Sequence, residues 1–389
     1  MRPLQDVRIL SIEQYAAGPY GTMLLAGMGA EVIKIENPAI GGDPARRTGP
    51  HMLGEGDSQY FQTWNLNKKS VSLDLKRPDD RRRFEALVAG ADAVVNNLRG
   101  DQPAKLGLDY ASLGRIKPSI VCLHISAYGR DNARAARPGY DYMMQAEAGL
   151  MSLTGEPSSP PTRFGAPSPI DHMTGMTAMV GLLGALLGAR ATGKGCDVDV
   201  CLLDVALHVL GYAGTWALNS DQGAERQGRS AHFSVAPVQT FPTADGWIFV
   251  MCMTQKFWEA MLEVIGRPDL ARDPRFAANA DRFAHRDALT EALDQVFRGR
   301  PTAAWVEALA GVLPVAPVLG VQEALARSFV AETGMVQSAP HPADPSFRVM
   351  GSPIRIDGDR GPHTPCPPMG ADNQAVLGDL AQPAGALAE

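Results

Sequence analysis

Asp171 is the side chain on which a chemical reading of this sequence turns. It ends the proline-spaced stretch Pro167-Ser-Pro-Ile-Asp171 and stands at the mouth of a small, apolar segment that runs on to Arg190. The position reads as a helix N-cap, since an Asp side chain accepts hydrogen bonds from the first free backbone N–H groups and the helix dipole favours negative charge there. Thr174 suits the first turn. Whether the carboxylate does anything further is left open by this stretch alone. Lys68 and Lys69, in Asn65-Leu-Asn-Lys-Lys-Ser70, stand just before a strand; they are either phosphate ligands or a solvated pair at a sheet edge.

Other chemistries are argued against residue by residue. The first strand runs into Gln14-Tyr-Ala-Ala-Gly-Pro-Tyr-Gly21, whose glycines do not have the spacing of a dinucleotide loop, and Pro19 sits where the backbone would approach a pyrophosphate. Gly188-Ala-Arg-Ala-Thr-Gly-Lys-Gly195 ends in Gly where a P-loop needs Ser or Thr for Mg²⁺, and it follows a helix. It reads as a helix end and turn. Ser126-Ala-Tyr-Gly129 is not a nucleophile elbow, and the eight His are dispersed without a metal-binding pattern.

These residues need elements to position them. Val7–Ile12, Glu31–Glu36, Lys69–Leu75, Ala93–Asn96 and Ile120–Ser126 read as strands, and Pro19–Gly29 and Asp79–Ala89 as helices, with a further helical turn beginning at Gln102. Strand and helix alternate, which is the pattern of a doubly wound α/β domain. The segment from Gly195 alternates and then turns helical to Asn219. Near residue 225 the texture changes. A strand in Asp245–Met253, helices at Gln255–Ile265, Arg282–Phe297 and Thr302–Leu309, a short strand in Pro314–Leu319 and a helix over Val321–Ala331 read as a smaller α+β domain. From Gln337 to Gly370 the chain carries eight Pro and is expected to wrap over another surface. The expected division is 1–224, 225–331 and 332–389.

The bulk properties fit. The 389 residues exceed one simple core, and 45% hydrophobic with 20% charged residues is an ordinary soluble composition. A net charge of −6 argues against nucleic acid as partner. The five Cys are scattered, with no zinc spacing, as expected of reduced core thiols in a cytoplasmic protein. No signal peptide is read at the N-terminus, and the longest apolar run, Ala178–Ala189, is short of a membrane span and reads as a buried core helix.

Taken in order, Ala17-Gly-Pro19, Gly29-Ala-Glu-Val-Ile-Lys-Ile-Glu36, Asn65–Ser70, Leu73-Asp-Leu-Lys76, Gly139-Tyr-Asp141, Asp171-x-x-Thr-Gly175, Thr192-Gly-Lys-Gly195 and the Asp245-Gly246 turn resemble the class III CoA-transferases. That family includes formyl-CoA transferase and the carnitine CoA-transferases, and the resemblance spans nearly the whole chain. It implies a large Rossmann-like domain, a small domain, a C-terminal segment returning to the large one, and an interlocked homodimer. It implies that Asp171 is the nucleophile that attacks an acyl-CoA thioester, with helix N–H groups stabilising the oxyanions, and that Asp141 is an acidic residue near the reacting centre. It further implies CoA contacts at Tyr15, Ala16, Ala17, Asn37, Leu73, Lys76, Asn97, Leu98, Lys105 and Arg137, with cations meeting phosphates. Acyl-CoA and small carboxylic acids are then the partners, with no permanently bound cofactor.

The chain departs from formyl-CoA transferase at Ala16, where that enzyme has Gln, at Asn37, where it has Arg, and around Gly228–Pro242, where its Gly-rich lid is missing. The first departure weakens an oxalate-type substrate; the second puts one phosphate or adenine contact in doubt. The stretch Ser230-Ala-His-Phe-Ser-Val-Ala-Pro-Val-Gln-Thr-Phe241 instead resembles members that move CoA from succinyl-CoA to other dicarboxylic acids, with His232 a candidate for a distal carboxylate. Its other reading is a turn residue of the small domain. Two rivals remain: an α-methylacyl-CoA racemase, which resembles Gly-His-Asp where this chain has Gly139-Tyr140-Asp141, and a non-catalytic CoA-binding protein.

Overall fold

Parallel strands are joined by crossovers, and here short β-branched strands alternate with helices to give one six-stranded parallel sheet. The computed structural model of the chain describes residues 1–378 apart from positions 166 and 222. The strands are β1 (Arg8–Ile12), β2 (Glu31–Glu36), β3 (Lys69–Ser72), β4 (Ala93–Asn96), β5 (Val121–Ser126) and β6 (Asp197–Cys201). Their order across the sheet is β3-β2-β1-β4-β5-β6. All five pairings are parallel, with Leu10 beside Ile33 on one side and Val94 on the other. The order reverses between β1 and β4, and loops beyond the C-terminal ends of strands at such a switch point form the natural ligand crevice.

The connecting helices are α1 (Ala17–Gly27), α2 (Gln59–Asn65), α3 (Pro78–Ala89), the single turn α4 (Tyr110–Leu113), α5 (Asp141–Glu147), α6 (Pro169–Thr192) and α7 (Leu202–His208). Leu10, Ile33, Val71, Val94 and Cys122 of the sheet pack with Phe84, Leu87 and Val88 of α3 in one apolar core. The segment Gln102–Lys105 closes turns but makes no helix.

Contacts divide the chain into two compact units: Met1–Ala148 with Gly165–Val209 and the chain from Ser328 onward, and Gly149–Phe164 with Leu210–Arg327. These boundaries fall at 209/210 and 327/328, where the sequence placed them at 224/225 and 331/332. Each helical run read as continuous is in fact broken there, the first between α7 and α8 (Gly211–Asn219). The second unit holds α8, an antiparallel sheet of β7 (Val238–Pro242), β8 (Trp247–Met251) and β9 (Val315–Pro317), and helices α9 (Gln255–Val264), α10 (Asn279–Ala284), α11 (Arg286–Phe297), α12 (Thr302–Leu309) and α13 (Val321–Leu325). Phe241, Ile248, Trp258, Phe297 and Trp305 form its core.

The chain then enters α14 (Ser328–Glu332), the hairpin β10 (Val336–Ser338) and β11 (Arg348–Met350), and α15 (Asn373–Leu377). This segment finishes the first unit. Asp372 Oδ2 accepts from Ser70 N–H at 2.7 Å and Asn373 Oδ1 from Ser72 N–H at 2.9 Å, which satisfies donors along the open edge of β3.

Helix α6 spans 24 residues, twice the apolar run read from the sequence, because residues 169–177 and 190–192 extend it at its two ends. By length and hydropathy alone it could cross a membrane. In the first unit one face of it buries Ile170, Thr174, Ala178, Leu182 and Leu186, with contacts to α1 and the sheet, while Met176, Val180 and Leu187 on it are exposed. At the crossing of α6 with α1 the two helix backbones approach directly, with Met179 packed beside Gly21. A Cβ on Gly175 would lie 2.5 Å from Ala17 O, and one on Gly21 would lie 2.9 Å from Gly175 O. Gly175→Ala is therefore expected to lower unfolding free energy by about 1–3 kcal/mol in urea melts. Gly184→Ala, at an exposed position of the same helix with nothing within 4 Å, should raise it by about 0.5–1 kcal/mol.

Candidate active site

The crossing of α1 and α6 brings the start of one helix beside the start of the other. Asp171 is the third residue of α6, and the N-cap is Ser168, three residues earlier. The cap role assigned to Asp171 belongs to a different carboxylate. Asp141, the buried first residue of α5, accepts at Oδ2 from Ile170 N–H at 2.6 Å and from Asp171 N–H at 3.0 Å. Its Oδ1 accepts from Gln145 Nε2 at 2.5 Å. Asp141 is thus fully engaged in holding the start of α6, and these two amides are not available to an oxyanion. Ser168 does not cap either; it takes a left-handed backbone, φ 54°.

Released from capping, the Asp171 carboxyl faces a cleft of about 110 Å³. Burial, and after it the charge of Asp141, push its pKa up to about 7, with the Ser168 hydrogen bond opposing them. The Tyr60 hydroxyl is pushed up by burial and then by the Asp171 charge. The opposite wall is the start of α1. Ala16 provides no side-chain cap and the first turn carries no acid, so the positive end of this helix is presented to the cleft by backbone amides.

Tyr15, Ala16, Ala17, Asn97, Leu98, Arg137 and Asp171 all line this cleft. Asn37, Leu73, Lys76 and Leu98 line a second one of about 170 Å³, whose walls also include Ile12, Ile35 and Ile40. Gln14 and Leu98 belong to both, so the two are adjoining parts of one groove over the ends of β1, β2 and β4. Asn37 accepts from Ala39 N–H and caps a short turn. Asn97 grips Gln14 from both sides, accepting from its N–H at 2.9 Å and donating to its carbonyl at 2.6 Å. Lys105 stands outside the groove, exposed and paired with Asp101 at 2.7 Å. His232 belongs to the second unit. Its Nδ1 accepts from Ser234 N–H at 3.1 Å, its ring stacks on Tyr212 and its carbonyl accepts from Arg286, which is the turn role.

Beneath the groove lies a lattice of buried charge. Lys68 Nζ donates to Glu13 Oε1 at 2.7 Å and to Pro19 O at 2.8 Å. Lys34 Nζ meets Asp43 at 2.9 Å and Glu13 O at 2.8 Å. Arg46 forks onto Glu36, 2.8 and 2.7 Å from its two oxygens, with its guanidinium 3.9 Å from the centre of the Phe61 ring. Burial pulls Lys68 down to about 8; burial pushes Glu36 up, yet Arg46 and Lys34 hold it at about 2. Lys68 is therefore neither a phosphate ligand nor a solvated residue, whereas Lys69 is exposed and pairs with Glu31. The lattice fixes the loop that lines the groove. Tyr15, at φ 60°, donates its N–H to Asp43 Oδ1 at 3.1 Å, while Lys34 and Lys68 hold the carbonyls on either side.

Sequence reasoning missed Ser168, Tyr60 and the lattice. Ser168-Pro-Ile-Asp171 has the S-x-x-D spacing that puts the acid at the third helical position, which was the available signal. Lys34 and Glu36 stand in a parallel strand covered on both faces, where a charge must find a partner.

Residues 4–373 match CoA-transferase family III. The chain is 35% identical over 371 residues to an acetyl-CoA:oxalate CoA-transferase from Acetobacter aceti, covering 93% of this chain and 91% of that one. It is 31% identical to a succinate–glutarate CoA-transferase from Agrobacterium fabrum, covering 97% and 96%. Its fold superposes on a CAIB/BAIF family protein from Brucella suis with a TM-score of 0.85, at 30% identity, covering 97% and 99%. The chain belongs to CoA-transferase family III, and it is an enzyme of CoA transfer.

The raised Asp171 pKa has a thermodynamic consequence. Its folded value lies above the unfolded one, so its contribution to stability is full below about pH 4 and is lost as pH climbs to about 7. Asp171→Asn should leave unfolding free energy near that of the parent at pH 4 and exceed it by up to about 4 kcal/mol at pH 8. Urea melts across that range check the sign and the window.

Proposed function

We propose that the enzyme carries CoA from an acyl-CoA donor to a carboxylic acid through covalent intermediates on Asp171. The observation that carries this reading is an uncapped helix start facing a partly buried carboxylate across a groove, with Asp141 consuming the hydrogen bonds that would otherwise engage that carboxylate. One Asp171 oxygen attacks the thioester carbonyl, the C–S bond breaks, and a mixed anhydride forms with release of CoA thiolate. The thiolate attacks the aspartyl carbonyl, expelling the donor acid as its carboxylate and leaving an aspartyl-CoA thioester. An acceptor carboxylate attacks that thioester, giving a second anhydride and the thiolate again. The thiolate then takes the acceptor acyl group and Asp171 is restored. The oxyanions formed at each step are met by the amides at the start of α1, in place of those of α6.

The groove running from Asp171 past Leu98 to Leu73, Lys76 and Asn37 is the proposed course of CoA, its apolar inner end suited to adenine. Arg137 at the Asp171 end and Lys76 at the other supply positive charge. Lys105 and His232 receive no place in this account. The donor and acceptor are proposed to be dicarboxylic acids, since relatives are named for succinate, glutarate and mesaconate. A relative named for oxalate keeps that acid among those to assay despite Ala16. Exposed Met176, Val180 and Leu187 on α6 support a homodimer, and five unpaired cysteines support a reducing, cytoplasmic setting.

The test is to incubate the protein with succinyl-CoA and a panel of other acyl-CoAs, add hydroxylamine and analyse peptides by mass spectrometry. A hydroxamate on the peptide bearing Asp171 is expected; its absence with every donor, despite CoA binding, overturns the reading. Asp171→Ala should abolish transfer and leave CoA affinity within about threefold of the parent. Because the attacking form is the carboxylate, kcat/KM should rise with pH and level off above about 7.

A further inference from the structure

The first turn of α1 has no cap. Ala16 offers no side-chain acceptor, and the amides of Ala17 and Gly18 meet no acceptor among the described residues. Pro19, the third helical residue, has no N–H to add. The body of the helix is fixed by its crossing with α6, but an uncapped first turn frays unless the chain that feeds it is held.

A side chain at the cap would hold that turn and in doing so occupy its donors, as Asp141 does at α6. At α1 the support comes one step earlier. Tyr15 feeds the helix through Ala16 with a left-handed backbone, φ 60°, a conformation that costs a non-glycine residue free energy. Asp43 is the group that engages it. Its Oδ1 accepts from Tyr15 N–H at 3.1 Å and from Ala45 N–H at 2.9 Å, and its Oδ2 lies 2.9 Å from Lys34 Nζ. Asp43 is buried, and its own N–H donates to Glu36 Oε2 at 3.1 Å. The acceptor for Tyr15 is thereby tied to β2 at both Lys34 and Glu36.

We infer that Asp43 is a positioning residue for the transfer reaction: by accepting from the Tyr15 amide it holds the left-handed turn that directs the open amides of α1 into the Asp171 cleft. The inference rests on the reading of Asp171 as nucleophile and of the α1 amides as the donors that meet its oxyanions. Asp43 borders the groove, but both of its oxygens are engaged by the protein, so it acts through Tyr15 and not on CoA. A donor displaced by about 1 Å can cost about a hundredfold in rate, while the rest of the groove keeps its shape.

Removing Asp43 alone would leave Lys34 buried without this partner, so the pair is removed together. Lys34→Met/Asp43→Asn and Lys34→Met/Asp43→Ala are both uncharged at these two positions; the first keeps an oxygen to accept from Tyr15 N–H and the second has none. In transfer from succinyl-CoA to glutarate, kcat should be about 30-fold lower in the alanine double variant than in the asparagine one, at the same KM for succinyl-CoA. Their affinities for free CoA, measured by calorimetry, should agree within about threefold. Equal kcat in the two overturns the inference. So does a loss of CoA affinity as large as the loss of rate, which would make Asp43 part of the CoA site. If either double variant does not fold, the full chain made with an ester in place of the Gln14–Tyr15 amide removes the donor and leaves Asp43 and Lys34 in place. A kcat about 30-fold below the parent then supports the inference, and parent-like kcat overturns it. Hydroxamate formation on the peptide bearing Asp171 tests the nucleophile separately. Its presence in the parent, with equal kcat in the two double variants, removes Asp43 from this role while the nucleophile reading stands; its absence with every donor strikes both.

Discussion

The backbone-to-backbone approach of α1 and α6 is the constraint from which the rest of the site follows. Glycine at 21 and 175 lets Ala17 O and Gly175 O sit where any side chain would intrude. That contact places the start of α6 at the end of β1, beside the switch point of the sheet, where the loops of β1, β4 and β5 open outward. Once two helix starts face one cleft, their unpaired amides set its electrostatics. One set is satisfied by Asp141 and the other is left open, and that asymmetry determines which helix can receive negative charge from a ligand.

A groove floor made of a left-handed tyrosine and an irregular loop would be soft without support. The lattice below it supplies that support with charges of both signs, each within hydrogen-bond reach of an opposite partner. Replacing such pairs with apolar side chains of equal volume is often neutral for stability. Their value here lies in direction: Lys34, Asp43, Lys68 and Asn97 each bind a particular backbone group of residues 13–19, something apolar packing could not specify. Rigidity in the loop is then a property of residues far apart in sequence, of which Asp43 and Asn97 also line the groove.

Much of this was legible before any coordinates. The alternation of strand and helix located β1 to β5 within a few residues, because burial on both faces enforces continuous β-branched runs. The motif order pointed to the family, and Asp171, Tyr15 and Arg137 line one cleft. What escaped was three-dimensional by nature. Asp141 and Asp171 are 30 residues apart, and only the fold reveals that one caps the helix carrying the other. Strand β7 was missed because Val238–Pro242 ends in proline, which its place in the antiparallel sheet tolerates. His232 and Lys105 were assigned by likeness alone, and their surroundings here are those of a turn and a surface ion pair.

The segment after Ser328 is joined to the lattice at several points. Pro367 O accepts from Arg46, Cys366 exchanges two hydrogen bonds with Gln62, and His341 lies 3.0 Å from Asp57. Synthesis on the ribosome proceeds from the other end. Strands β1 to β3 and their charges emerge roughly three hundred residues before the groups that complete their bonding. Arg46 already has Glu36, and Gln62 has Asp57, within the early strands and their loops, but their remaining hydrogen bonds wait for residues 341–367. Bonding of the first unit is thereby completed only by residues that follow the whole of the second in sequence, and the edge of β3 is covered by the last of them described, Asp372 and Asn373.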